Sequence, residues 1–170
     1  MAEKMASLQD LLIKELNDLH NAETQVMKSL PKMQKAASSP ELQQAFGHHL
    51  EETQSQIARL KQVFEMFGER PDNKKCKGME GLIEEGAEIM KMKGDAATRD
   101  AALIAAAQRV EHYEIAGYGT LKTYARRLGN TRAADILESI LNEEKETDVK
   151  LTQLAERGGI NLEAAQAAAS

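Results

Sequence analysis

The sequence predicts an all-α protein built from four long helices, and three observations support this prediction. Strong helix formers, chiefly Ala, Leu, Glu, Lys, Gln and Met, dominate the 170 residues. Aromatic residues make up 4 % and Trp is missing, which argues against a strand-rich sandwich or barrel. Apolar residues recur at the three- and four-residue spacing of an amphipathic helix along four long segments.

Capping residues predict where the first two long helices begin. Ser7 has an acid three residues later, which is capping-box spacing, and it should begin the first helix. We expect a kink at Pro31 and then one or two further turns. Ser39 and Pro40 are suited to the N-cap and first position of the second helix, which should end at Gly68. The short link between these helices predicts an antiparallel hairpin.

Residues 68–97 predict a long connection with a short helix inside it. The turn-rich GERPDNKKCKG is followed by MEGLIEEGAEIMKMKGD, which has a helical but Gly-interrupted pattern. A connection of this length lets the second and third long helices lie parallel, as in bundles with one crossover. The third long helix should span about 95–98 to 128–129, and the fourth about 130–131 to 157–159.

Length and composition bound the protein class. We expect a single domain over 1–170, with the bundle at about 7–156. A short Ala-rich tail at 158–170 should be a short, frayed helix or disordered. The net charge of −5 argues against nucleic-acid binding, and no segment approaches the ~20 apolar residues of a membrane span. The single cysteine, Cys76, and the lack of an apolar signal region favour a cytoplasmic protein.

An acid lies at or near the apolar stripe of each long helix. At roughly 100° per residue, Glu23, Glu114 and Glu144 each lie within about 40° of several apolar residues of their own helix. On the second helix, Glu52 lies about 100° from the centre of the stripe, and His49 lies about 40° from it on the same side.

Two further acids lie close to these positions. Glu111 lies about 60° from Glu114, on the flank of the third long helix. Asp148 follows Glu144 by about one turn and shares its face. Tyr118 follows Glu114 by one turn, and we expect it to be an ordinary core residue, although a contact with the acids is the alternative.

Inward acids need a positive partner, because a buried unpaired carboxylate is costly and converging ones repel each other. Lys and Arg are missing from the centres of the stripes. Carboxylate oxygens with one or two imidazoles suit iron or manganese, and acids from four helices are the arrangement of di-iron bundles. We therefore predict a two-ion centre, with iron favoured over manganese, whose ligands are drawn from Glu23, His49, Glu52, Glu111, Glu114, Glu144 and Asp148.

A simpler interpretation stands beside this one. Any single inward Glu can be a boundary residue or part of a dimer interface, and a lone His49 can be a core histidine that is hydrogen-bonded internally. The metal-site hypothesis depends on all the acids together.

Four segments resemble the YciF-like stress proteins, a family of unknown function in the ferritin-like superfamily. They are HLEET (49–53), CKGMEGLIEEG (76–86), RDAALIAAAQRVEHYEIAGYGTL (99–121) and NEEKETDVKLTQLA (142–155). The resemblance extends over roughly 7–156. It implies a dimeric ferritin-like bundle with one crossover, related in structure to rubrerythrin and associated with bacterial stress responses.

The superfamily also implies roles for particular acids. Glu23, Glu52, Glu114 and Glu144 correspond to the di-iron carboxylates, and Glu111 corresponds to the extra acid of rubrerythrin-like sites. The superfamily motif Glu-x-x-His is not kept, because Ser55 follows Glu52 at that spacing and Thr147 follows Glu144. The resemblance thus implies a centre rich in carboxylates and short of imidazole.

Two functions from different classes follow. The first is a stress-associated protein, active as a homodimer, whose di-metal centre reacts with peroxide or dioxygen and takes electrons from an external donor. Whether it is an enzyme stays open, and no catalytic residue is assigned. The second is a metal-free structural or protein-interaction bundle that has lost this chemistry.

Overall fold

The computed structural model describes residues 5–167, and these residues form six helices and no strand. The prediction of an all-α protein is confirmed. The last three residues of the predicted tail, and both ends of the predicted 1–170 domain, lie outside the described residues. The helices are α1 (Leu8–Ala36), α2 (Pro40–Met66), α3 (Lys77–Lys91), α4 (Ala96–Arg127), α5 (Thr131–Glu156) and α6 (Ile160–Ala167).

The predicted caps of the first two helices are confirmed. The Ser7 hydroxyl accepts a hydrogen bond from the Asp10 amide at 3.0 Å, and the Asp10 side chain accepts one from the Ser7 amide, which completes a capping box. Ser39 caps α2, with Pro40 as its first residue. α1 continues through Pro31 to its last turn, and the kink expected there stays a prediction.

The long connection contains α3, as predicted. Cys76 caps this helix and is buried, with its sulfur 3.1 Å from the hydroxyl of Tyr113. α3 packs against α1 and α4. Asp95 caps α4 and Asn130 caps α5, in agreement with the predicted starts of these helices.

The four long helices pack around one core. α1 contacts α2 and α4, and α5 contacts α2 and α4. The largest fully buried side chains come from α1, α2, α4 and α5, with one from α3. The tail, expected as a short, frayed helix or a disordered segment, forms the short helix α6, which packs against α4 and α5 and buries Ile160.

Two contacts hold α4 against α1 and against the α1–α2 link. A Cβ atom at Gly117 of α4 would lie 2.8 Å from the Leu19 side chain of α1, so glycine permits the close approach of these helices. Asp100, buried in α4, accepts hydrogen bonds from the amides of Ser38 and Ser39, which ties the α1–α2 link to α4. No helix within residues 5–167 is long and apolar enough to cross a membrane.

Candidate metal centre

Four buried side chains from three helices form a cluster that could hold a metal ion. They are His49 of α2, Glu111 and Glu114 of α4, and Glu144 of α5, and one ligand atom from each lies within 4.8 Å of the others. None of the four is more than 3 % exposed. We call these four residues the buried cluster.

Glu23 of α1 lies beside the buried cluster and is fully buried. The hydroxyl of Tyr118 donates a hydrogen bond to its Oε1 atom. Burial raises the pKa of Glu23 to about 7, although the hydrogen bond from Tyr118 and the charge of His49 oppose this change. The nearby charge of Glu111 raises the same pKa, which places Glu23 within electrostatic reach of the cluster.

Burial and crowding control the ionisation of the cluster itself. Burial raises the pKa of Glu114 and of Glu144 well above the usual range, and the charges of the neighbouring acids raise both further. For His49, burial would lower the pKa, but the charges of Glu111 and Glu144 and the close approach of Glu52 raise it well above its usual value. The protonation state of each acid and of the imidazole thus depends on the charges of the others.

Many polar atoms of this region have no hydrogen-bond partner. They include both nitrogens of His49, both oxygens of Glu114, and one oxygen each of Glu23, Glu111 and Glu144. The His49 Nε2 atom lies 3.1 Å from Glu111 Oε1, at the distance of an ion pair but without the angles of a hydrogen bond.

Unsatisfied atoms of this kind are rare in folded proteins, since nearly all buried polar groups are paired. Carboxylate oxygens with one imidazole are the donor set that suits iron or manganese. The residues present therefore fit a metal centre.

Glu52 lies at the edge of the buried cluster, between it and the surface. Its side chain is 19 % exposed, with Oε1 3.1 Å from His48 Nε2 and Oε2 3.7 Å from His49 Nδ1. Thr147 donates a long hydrogen bond of 3.4 Å to the same Oε2 atom. Burial raises the pKa of Glu52, but the two histidines and the charge of Lys150 outweigh it, so the net shift is downward.

Asp148, a predicted ligand, lies outside the buried cluster. Its Oδ1 atom accepts a hydrogen bond of 3.2 Å from Gln108, and its Oδ2 atom lies 3.1 Å from Nε2 of His112, whose side chain is 68 % exposed. Both partners belong to α4. Asp148 therefore takes part in a contact between α4 and α5 near the surface.

Two residues near the acids were not among the predicted ligands. Gln56 is fully buried, and its Nε2 atom donates hydrogen bonds to Glu144 and, at 3.0 Å, to Glu143 Oε2. Tyr118, expected as ordinary core with a contact to the acids as the alternative, donates a hydrogen bond to Glu23. Their spacing in the sequence could have pointed to them, because Gln56 follows Glu52, and Tyr118 follows Glu114, by one helical turn.

Comparison with known proteins shows close relatives. The chain is 50 % identical over 152 residues to Protein YciF of Escherichia coli strain K12, which covers 89 % of this chain and 92 % of that protein. The crystal structure of the E. coli stress protein YciF matches with a TM-score of 0.87, over 89 % of this chain and 96 % of that chain.

A second solved structure is also similar. YcfI from Rhodopseudomonas palustris, described as a candidate structural protein, is 43 % identical and matches with a TM-score of 0.86, over 89 % of this chain and 97 % of that chain. The family described as a domain of unknown function, DUF892, matches residues 7–165. The resemblance to YciF-like proteins is thus confirmed, and the chain belongs to the DUF892 family.

Proposed function

We propose that this protein is a stress-associated ferritin-like bundle with one crossover. It binds two divalent metal ions among its buried acids, and iron is favoured. The observation that carries the proposal is the set of unpartnered, buried ligand atoms on His49, Glu111, Glu114, Glu144 and Glu23. The association with stress is supported by the 50 % identity to a stress protein.

Charge supports two ions rather than one. Glu23, Glu111, Glu114 and Glu144 carry four negative charges when all are ionised, and two divalent cations carry four positive charges. Without cations, Glu23, Glu114 and Glu144 would bind protons instead, as their raised pKa values indicate. Metal binding would release those protons.

The surrounding residues would hold the ligands in place. Tyr118 donates to one oxygen of Glu23 and leaves the other oxygen unpartnered. Gln56 does the same for Glu144. Such outer hydrogen bonds orient metal ligands and tune the metal. Bound iron would supply reactivity toward peroxide or dioxygen, and manganese is the alternative ion.

We also propose that the protein acts as a homodimer in the cytoplasm and receives electrons from an external donor. The family resemblance supports the dimer. The donor follows from composition, because one cysteine cannot bind an iron–sulfur or rubredoxin-like cluster. Analytical ultracentrifugation of the purified protein tests the dimer, which requires twice the 18.7 kDa mass of the chain.

The second candidate function is a metal-free structural bundle. It is favoured by the raised pKa values of Glu23, Glu114 and Glu144, since protonated acids can remain buried without a cation. The description of the R. palustris relative as a candidate structural protein agrees with it. The two candidates differ in whether the buried acids bind metal when it is offered.

Metal loading separates the two functions. Protein prepared without metal is incubated anaerobically with Fe²⁺, desalted, and analysed for iron. We expect about two ions per chain for the wild type and for Glu146→Ala, an exposed acid of α5, and strong loss for Glu114→Ala. Less than about half an ion per wild-type chain supports the structural bundle, in which Glu114→Ala should raise stability by removing a strained acid.

A further inference from the structure

A narrow cleft of about 10 Å³, with room for about one water molecule, lies between exposed residues and the buried cluster. Residues from α2, α4 and α5 line it, and it ends on two members of the cluster. Its polar lining consists of His48, His49, Glu52, Glu111, Thr147 and Lys150.

The metal-binding atoms along this cleft form a continuous series. His48 Nε2 lies 3.1 Å from Glu52 Oε1, Glu52 Oε2 lies 3.7 Å from His49 Nδ1, and His49 Nε2 lies 3.1 Å from Glu111 Oε1. Each gap between residues is shorter than 4 Å, and each residue offers two ligand atoms. A cation that loses its water can therefore exchange one ligand for the next without a long step.

Exposure falls steadily along the series. The side chain of His48 is 50 % exposed, that of Glu52 is 19 %, that of His49 is 4 % and that of Glu111 is 1 %. His49 Nδ1, which faces Glu52, has no hydrogen-bond partner. An unpartnered, buried nitrogen at the inner end of the cleft can coordinate a cation that arrives through it, once that cation displaces the imidazole proton.

We propose that this cleft is the route by which divalent cations reach the buried cluster, and that His48 and Glu52 form its first binding pair. The inference rests on the proposed metal centre. In this proposal Glu52 binds the cation only on its way to the cluster, whereas the resemblance to the ferritin-like superfamily makes Glu52 a ligand of the metal centre itself. The arrangement places a carboxylate where a hydrated ion must shed water, which is the step that a negatively charged, partly exposed ligand assists.

One residue of the cleft opposes cation binding. Lys150 is exposed at the outer end, and its positive charge repels a divalent ion. The proposal therefore predicts opposite effects for two changes in the same cleft. Removal of the Glu52 charge should slow metal uptake, and removal of the Lys150 charge should speed it, with both effects reduced by salt.

Stopped-flow mixing of metal-free protein with Co²⁺ alone tests this route, because Co²⁺ absorption changes when carboxylate and imidazole ligands replace water. We expect Glu52→Gln to slow uptake about tenfold or more, His48→Ala to slow it severalfold, and Lys150→Gln to speed it severalfold. Equilibrium dialysis of each variant should give the wild-type number of bound ions.

The matched control is His112→Ala. His112 is also an exposed histidine beside an acid, Asp148, but it lies outside the cleft. It should leave the uptake rate unchanged.

Each result bears on a different claim. Wild-type uptake rates in both Glu52→Gln and His48→Ala overturn the route. Loss of bound ions at equilibrium in Glu52→Gln also overturns it, because Glu52 would then belong to the centre. If the wild type itself binds no Co²⁺, the proposed metal centre fails, and the route fails with it.

Discussion

The side-chain amide of Gln56 donates hydrogen bonds to two consecutive carboxylates of α5, Glu143 and Glu144. Arg59 contacts the same oxygen of Glu143 at 2.5 Å, so the amide connects a partly exposed ion pair to a buried acid of the cluster. This connection fixes the orientation of Glu144 before any metal binds.

Replacement of this amide should therefore weaken metal binding. We expect Gln56→Leu, which keeps a similar volume but has no donor, to lower metal affinity about tenfold or more. Competition with a coloured chelator for Co²⁺ measures the change. Gln54→Leu, an exposed position of the same helix, is the control and should keep the wild-type affinity. Equal affinities for both variants would contradict the role of Gln56.

Tyr118→Phe should lower stability most when Glu23 is ionised. The change removes the hydroxyl that donates to Glu23 without creating a large cavity. We expect the free energy of unfolding of the metal-free protein to fall by about 1–2 kcal/mol at about pH 8 and by less at about pH 5.5. Urea denaturation measures both values. Tyr124→Phe in the same helix is the control, and a pH-independent loss in Tyr118→Phe would contradict this explanation.

The metal-free protein should lose stability as the pH rises. The pKa of Glu23 is about 7 in the folded state against an ordinary value of 4.5, and the pKa values of Glu114 and Glu144 are also raised. Between these values the folded state binds more protons than the unfolded state, so the free energy of unfolding falls with pH. The raised pKa of His49 acts in the same direction, because its contribution is lost as the pH rises through the folded pKa.

Urea denaturation in the presence of chelator measures this pH dependence. We expect the free energy of unfolding to be lower at about pH 8 than at about pH 5.5, by at least about 1 kcal/mol. Saturating metal should reverse the trend, because metal binds the deprotonated acids. Stability that is constant or rises with pH in metal-free protein would mean that the buried acids are not protonated.

Asp100→Ala should destabilise the fold without changing the metal centre. Asp100 accepts the amides of Ser38 at 2.8 Å and Ser39 at 2.7 Å while buried in α4. Loss of both contacts leaves two donors unpaired at about 1–3 kcal/mol each, so the variant should lose more than about 2 kcal/mol in a thermal or urea unfolding experiment. Asp95→Ala, which removes an exposed helix cap, should cost about 1 kcal/mol. Equal costs for the two variants would contradict the special role of Asp100.

The helices could be predicted from sequence because their ends are local features. Ser7, Ser39, Asp95 and Asn130 each cap a helix through contacts within a few residues of the chain. The inward positions of Glu23, Glu114 and Glu144 followed from helical spacing alone, and all three are buried.

Contacts between helices could not be predicted in the same way. Asp148 has the helical position of an inward acid, but Gln108 and His112 of α4 bind its side chain near the surface. Gln56 and Tyr118 lie one turn from candidate ligands, yet their partners, Glu144 and Glu23, come from other helices. Spacing shows which way a side chain leaves its own helix, and packing decides what it meets.

Anomalous diffraction from crystals loaded anaerobically with Fe²⁺ tests the central claim most directly. Data collected on both sides of the iron absorption edge locate iron without assumptions about the ligands. We expect strong peaks between His49, Glu111, Glu114, Glu144 and Glu23. Loaded crystals with no peak at these residues, or with peaks confined to exposed histidines such as His112, would contradict the metal centre.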